Sequence, residues 1–320
     1  MMLSILILLG GFLFLIKGAD WLVDGASAIA ERAGVSQLIV GLTLVSFGTS
    51  VPELFINFIS RLSGEDSMTV GNIIGSSIAN ILLILGVSSA VYPLALKKST
   101  VSWEIPYAAV VASVLWLAIF FGGIQSQRAF ELSRIEGLIL LGFFLAFLCY
   151  VFALRKKGGN FLSSTGQVIP TARKAIFLIV LGLVGLAFGA NGVVHGGVQL
   201  AVFLKVPESV IALSMVAIGS TLPEMMASVM AVLRKKSDIA VGNIVGSNIF
   251  NVSWILGLSA VVSPLPIEGR YLVDAGVLTG VSLLLFLVVF FNKKSVLSRL
   301  NGIFFIFLYG VYMTILIAKA

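Results

Sequence analysis

Four side chains able to offer oxygen to a cation share one apolar stretch. Ser46, Thr49, Ser50 and Glu53 stand at i, i+3, i+4 and i+7, spacings that fall on one side of an α-helix. Pro52 sits among them. A proline inside a helix has no N–H for the carbonyl four residues back and crowds it, so the Gly48 carbonyl is expected to lose its helical partner. In hydrocarbon, such a carbonyl must find another donor or a cation. The pattern recurs as Ala217, Ser220, Thr221, Pro223 and Glu224. Two broken helices, each with one glutamate, are therefore expected to meet.

Two further segments add Ser76 with Asn80 and Ser247 with Asn251, each pair at i and i+4. Carboxylate, amide, hydroxyl and carbonyl oxygens together compose a hard-cation cage suited to Ca2+, which takes about six to eight oxygens at about 2.3–2.6 Å. With one histidine and one cysteine in the chain, soft-metal ligation has little support. A carboxylate at the centre of a membrane helix costs about 2.5–3.5 kcal/mol. No basic residue lies at comparable depth in these segments, so the counter-charge is a bound cation or a proton. The plainer readings are that each glutamate is protonated and bonded to a neighbouring helix, and that Asn80 and Asn251 tie helices together. Gly71-xxx-Gly75 and Gly242-xxx-Gly246 read most simply as close helix packing.

The elements that carry these residues are membrane spans. The chain is 59% hydrophobic and 11% charged, with a mean hydropathy of +1.11, where a soluble domain carries about 25% charge. Apolar segments lie at 3–30, 36–60, 69–94, 104–122, 135–154, 174–204, 208–233, 240–264, 270–291 and 297–318. A span needs about 20 such residues, so the sequence predicts an all-α membrane protein with ten transmembrane helices. The first segment has no basic n-region and is expected to stay as a helix rather than leave as a signal peptide. Gly158, Gly159, Ser163, Ser164 and Pro170 mark a linker. The expected organisation is a five-helix unit at 1–154, a linker at 155–173 and a second five-helix unit at 174–320.

Residues 17–93 superpose on 188–264 without a gap, and the match keeps Gly48/Gly219, Pro52/Pro223, Glu53/Glu224, Gly71-Asn72-Ile73/Gly242-Asn243-Ile244 and Asn80/Asn251 in register. Shared lipid solubility would preserve Leu and Val but not Glu, Asn and Pro, so the chain is an internal duplication. Five spans per unit is odd, and the second unit must enter from the opposite side as an inverted repeat. Loops after the odd-numbered spans hold 14 of the 21 basic residues. The positive-inside rule therefore places the linker in the cytoplasm and both termini outside it.

Other polar residues receive structural readings. Lys17 is expected to pair with Asp20 or Asp24 one turn away, and His195 to be a satisfied structural histidine. Cys149 reads as a small packing residue, while Glu65, Asp66, Asp238 and Glu268 are expected to be solvated at loop edges.

Gly48-Thr-Ser-Val-Pro-Glu53 with Gly71-Asn-Ile-Ile-Gly-Ser-Ser-Ile-Ala-Asn80, and Gly219-Ser-Thr-Leu-Pro-Glu224 with Gly242-Asn-Ile-Val-Gly-Ser-Asn-Ile-Phe-Asn251, resemble the two α-repeats of the Ca2+:cation antiporter superfamily, most of all its prokaryotic sodium/calcium exchanger branch. The resemblance covers essentially the whole chain. It implies ion ligands at Thr49, Ser50, Glu53, Ser76 and Asn80 and at Ser220, Thr221, Glu224, Ser247 and Asn251, with backbone carbonyls of Ser46 and Ala217 completing the set. The chain departs from that pattern where Asn251 replaces a frequent Asp and where Ser220-Thr221 inverts the usual order. A pair of Glu with a pair of Asn also resembles the proton/calcium exchangers.

The expectation is a secondary antiporter of the cytoplasmic (inner) membrane that exports Ca2+ in exchange for Na+ by alternating access. In the family the long first and sixth helices slide across the core, and Gly18-Ala19 with Gly189-Ala190 would give them a smooth contact. Ca2+ and Na+ are its substrates and the lipid bilayer its surroundings; no cofactor and no nucleic acid are implied, and a monomer suffices. No phosphate-binding Gly-rich loop with Lys and Ser/Thr occurs in the sequence, which argues against direct ATP use. A proton/calcium exchanger and a cation channel using the two glutamates as a selectivity ring stay open. An enzyme is not expected, because no nucleophile-and-base pair or metal-ligand cluster of the usual kind appears in the sequence.

Overall fold

Apolar sequence in lipid must satisfy its own backbone, and a helix does so within one segment. The computed structural model describes residues 2–62, 66–126, 130–157, 170–205, 208–292 and 295–319. Among these, nine helices are long and apolar enough to cross a membrane: α1 (Met2–Ala33), α2 (Gln37–Ser60), α3 (Thr69–Val91), α4 (Thr100–Gly122), α5 (Arg134–Leu154), α6 (Ala172–Phe203), α8 (Ser237–Val262), α9 (Gly269–Phe290) and α10 (Arg299–Ala318). A further helix, α7 (Glu208–Leu233), has 26 residues. The protein is a mostly helical, multi-pass membrane protein.

Burial separates centre from rim. Of the apolar stretches of α3 and α8, 72% and 78% is buried, against 28% for α1 and 11% for α10. The hydrophobic exterior of α1 and α10 is what lipid requires of a peripheral span. α7 packs against α1, α6, α3 and α8, so α2, α3, α7 and α8 form the middle of the bundle.

Small residues let α1 and α6 run backbone to backbone. A Cβ at Gly11 would stand 2.6 Å from the Val193 nitrogen, one at Gly18 2.7 Å from that of Leu186, and one at Gly25 2.7 Å from the Ala175 oxygen. Numbers rise on one helix as they fall on the other, so the pair is antiparallel. Gly18 and Gly189 thus pack the two helices on each other. α4 and α9 are also antiparallel. Thr279 Oγ1 donates to the Ala112 carbonyl at 3.1 Å between them.

The all-helical expectation misses two short ribbons. β1 (Leu94–Ala95) pairs with β4 (Val296–Leu297), and β2 (Phe130–Leu132) with β3 (Leu265–Ile267), both antiparallel. They cap opposite ends of α4. Each joins one half of the chain to the other, and Leu94, Leu132, Leu265 and Leu297 are fully buried beneath them. Strands of two or three residues leave no alternation long enough to read in a sequence.

Several local expectations are corrected. α2 breaks at Ser50, whose backbone (φ −86°, ψ 5°) interrupts the helical run between Ser46–Thr49 and Val51–Leu62. α7 instead continues through Pro223, so only one of the two helices is broken. Asp20 and Asp24 pair with Arg234 at the end of α7, the second at 3.5 Å, rather than with Lys17. Asp238 and Glu268 are solvent-accessible as expected, and each also holds a cation, Lys97 at 2.6 Å and Arg270 at 2.8 Å. Cys149 is exposed on the outer surface and packs in no core. Glu65 and residues 158–169 of the linker lie outside the described residues, as does the side chain of Asp66.

Candidate cation site

Glu53 comes from α2 just past its break, and Glu224 from α7 one residue after Pro223. Their side chains are 0% and 1% exposed. Ser50 Oγ donates to Glu224 Oε1 at 3.2 Å and so joins the two glutamate helices. α3 and α8 close the other two sides. Asn80 and Asn251 each stand at the start of a π-helical turn, Asn80–Ile84 and Phe250–Leu256, a widening that recurs at functional sites.

Hydrogen bonds lock the four helices around this centre. Asn251 Nδ2 donates to Ser76 Oγ at 3.4 Å, Asn80 Nδ2 to Asn248 Oδ1 at 2.9 Å, and Ser247 Oγ to the Ser46 carbonyl at 3.5 Å. Thr49 Oγ1 donates to Asn243 Oδ1 at 3.0 Å, and Asn243 Nδ2 reaches the Glu224 carbonyl and Ser228 Oγ at 3.3 and 3.0 Å. Ser220 Oγ donates to Asn72 Oδ1 at 3.5 Å. The amide N–H groups of Asn80 and Asn251 are thus spent on helix packing, as the plainer reading expected. Their oxygens are not.

Both oxygens of Glu53, Oε2 of Glu224, and Oδ1 of Asn80 and Asn251 are buried without a hydrogen-bond partner among the described residues. Buried polar atoms normally find partners, and an orphaned one costs about 1–3 kcal/mol. Five orphaned acceptors thus stand on four helices, with no ion pair to a basic side chain described for either glutamate. Thr49, Ser50, Ser76, Ser220, Thr221 and Ser247 are all buried with them. The structure therefore brings the expected side chains together. Ala217 lies on α7 within a stretch whose side chains are outside the described set.

Sequence reasoning missed the asparagines that brace the cage. Asn72 and Asn243 carried a usable signal, because the duplication keeps them in register. Asn248 carried none, since its counterpart is Ser77. His195 accepts or donates to Gln199 at 2.9 Å, yet it also lines a cavity of about 740 Å3 together with Pro52, Phe55, Asn191 and Ser220. The cavity reaches Ser220, a wall of the cage. The packing reading of the glycines holds at Gly242 and Gly246, where a Cβ would meet α2 backbone at 2.8 and 2.7 Å, and at Gly71 against Tyr271, but not at Gly75, which has nothing within 4 Å.

A cage of oxygens at the middle of a multi-pass helical bundle, reached by a cavity, defines an ion-translocating membrane protein. The chain belongs to the sodium/calcium exchanger family: the family model described as "Sodium/calcium exchanger protein" matches residues 3–153 and 174–318. It is 30% identical to the sodium/calcium exchanger MaX1 of Methanosarcina acetivorans, covering 98% of each chain. It is 32% identical to the inner membrane protein YrbG of Escherichia coli over 82% of this chain and 81% of that one. The structure superposes on that of the sodium-calcium exchanger NCX_Mj with a TM-score of 0.80 at 31% identity, over 98% of this chain and 99% of the other. The protein is thus an antiporter of this family and not an enzyme.

Proposed function

We propose that the chain exports Ca2+ in exchange for Na+ by alternating access at the Glu53–Glu224 cage. The observation that carries the reading is the set of orphaned oxygens from Glu53, Glu224, Asn80 and Asn251, buried at the centre with no ion pair to a basic side chain among the described residues. Two carboxylates balance one Ca2+. Several Na+ ions would share the same oxygens and cannot coexist with it, so competition for ligands couples the two fluxes. MaX1 and NCX_Mj are named as sodium/calcium exchangers, which favours this pair of ions over Ca2+ and H+.

The architecture proposed with it is ten spans in two inverted five-helix repeats, 1–154 and 174–320, joined by a cytoplasmic linker at 155–173, with both termini outside the cytoplasm. The antiparallel courses of α1 and α6, and of α4 and α9, support that reading, as does the bias of basic residues. In this frame the cavity beside Pro52 and Ser220 opens outward. Sliding of α1 and α6 along their glycine seam would close it and open its counterpart. One copy contains the whole cage, so a monomer suffices.

The test is 45Ca2+ uptake into proteoliposomes under separately imposed Na+, K+ and H+ gradients. An outward Na+ gradient is expected to drive saturable uptake. Uptake driven by a pH gradient without Na+ would establish the proton/calcium reading instead, and flux without counterflow would establish a channel.

A further inference from the structure

The helices that carry the glutamates form hairpins with the helices that follow them. In the second half, the level one turn beyond Glu224 is fixed by the bond from Asn243 Nδ2 to Ser228 Oγ. A turn further stand Ala231 and Ala240, both fully buried, so this hairpin is satisfied and then apolar. The counterparts in the first half are Asn57 for Ser228, Asn72 for Asn243, Ser60 for Ala231 and Thr69 for Ala240. All four positions are polar there.

Three of the four carry unsatisfied atoms. Asn57 and Thr69 are 1% and 0% exposed, and neither end of the Asn57 amide, nor Thr69 Oγ1, nor Asn72 Nδ2 has a partner among the described residues. Each orphaned group is unfavourable by an amount that a sequence seldom tolerates without a ligand or ordered water. Asn57 lies one helical turn past Glu53 on the same face. Asn72 Oδ1 meets Ser220 Oγ at 3.5 Å, and Ser220 lines the cavity of about 740 Å3. The polar track therefore runs between cavity and cage.

Building on the exchange reading above, we propose that Asn57, Thr69 and Asn72 form a further cation station that holds a partly hydrated Na+ on the cavity side of Glu53. The donor set decides the class. An amide oxygen and a hydroxyl carry no charge to offset a dication, whereas a monovalent ion that keeps some of its water can bind both. Its retained water gives the two NH2 groups an acceptor. The second half, where the track ends in alanines, has no such station. Na+ binding is thus unequal at the two mouths of the cage.

Thermal unfolding of the purified full chain in detergent tests this without transport. Na+ replaces choline at constant ionic strength, and Ca2+ is titrated separately in choline; a ligand that binds the folded state raises the midpoint as its concentration passes Kd. Asn57→Leu is expected to raise the half-saturating Na+ concentration about tenfold and to leave the Ca2+ response unchanged, with Asn57→Ser intermediate. If the wild type shows no Na+-dependent shift, the Na+ exchange reading fails and takes the station with it. A wild-type shift that Asn57→Leu leaves intact overturns the station alone. Parallel loss of the Na+ and Ca2+ responses also overturns it, because the residue would then support the cage as a whole. Should Asn57→Leu not fold, Thr69→Val, nearly the same in shape, carries the same outcomes.

Discussion

The hairpin α2–α3 and its duplicate α7–α8 hold the same ligand types at the same spacing, but they are built to different tolerances. In α7–α8 the asparagine Asn243 is fully engaged, Gly246 lies against backbone, and the helix carries Pro223 without a break. In α2–α3 the counterpart Asn72 makes one long contact, Gly75 faces open space, and the helix breaks at Ser50. The oxygen-bearing residues match between the two hairpins, while the packing around them differs. The α7–α8 hairpin is the more closely packed of the two, and both reach the cavity, α7 through Ser220 and α2 through Pro52 and Phe55.

The comparison predicts equality at the cage itself. Glu53→Gln and Glu224→Gln keep shape and remove charge, and losing one member of a buried charged set is worth about 3–5 kcal/mol. Each is expected to lower Ca2+ flux on the order of 100-fold or more, with the protein still inserted and monodisperse. Normal 45Ca2+ uptake by either variant would break the claim that both halves serve one site.

Inequality is predicted one layer out. Asn243→Ala removes the bonds to Ser228 Oγ and the Glu224 carbonyl and one of those made by Thr49, which keeps the Val45 carbonyl, and is expected to destabilise by about 2–3 kcal/mol, against about 1 kcal/mol or less for Asn72→Ala. Denaturant midpoints in detergent measure both, and equal losses would mean that the two hairpins are packed alike. A gentler probe is the glycine pair. A Cβ at Gly246 would stand 2.7 Å from both the Leu42 carbonyl and Ser46 Oγ, whereas Gly75 has room. Gly246→Ala should cost about 1–3 kcal/mol as α2 is pushed away, and Gly75→Ala should stay within about 0.5 kcal/mol.

Much of this was legible in the sequence because hydrocarbon is an unforgiving solvent. Apolar runs gave α1 to α10 to within a few residues, and the repeated Glu53/Glu224 and Asn80/Asn251 pointed to side chains that are buried with unpartnered oxygens. What escaped were features that depend on contacts between distant segments. The partner of Asp20 and Asp24 is Arg234, which lies more than 200 positions away, while Lys17 was merely near in sequence. The ribbons pair two or three residues across the halves. The break at Ser50 and its absence at Pro223 show that proline permits a break, and that the surrounding packing decides whether it occurs.

The smallest expected effect concerns the two mouths of the site. Asp20 and Asp24 have Asn191 and His195 as repeat counterparts; the acidic pair is held by Arg234 between α1 and α7, while the neutral pair lines the cavity. An ion pair present in only one conformation biases the equilibrium toward it. Here the Arg234 side chain is 46% exposed, that of Asp24 48% and that of Asp20 21%; with the arginine half in solvent the pair is held to about 1 kcal/mol, about fivefold in population. With Cys149 replaced by Ser, a single cysteine at Ala187, inside the cavity, reports how often that mouth is open. Arg234→Ala is expected to slow its labelling by a polar maleimide less than about fivefold, Arg234→Lys to restore part of the rate, and salt near about 1 M to mimic the alanine variant by screening the pair. Labelling that ignores all three changes would reduce the pair to a surface contact and leave the contrast between Asp and Asn/His without a mechanical role.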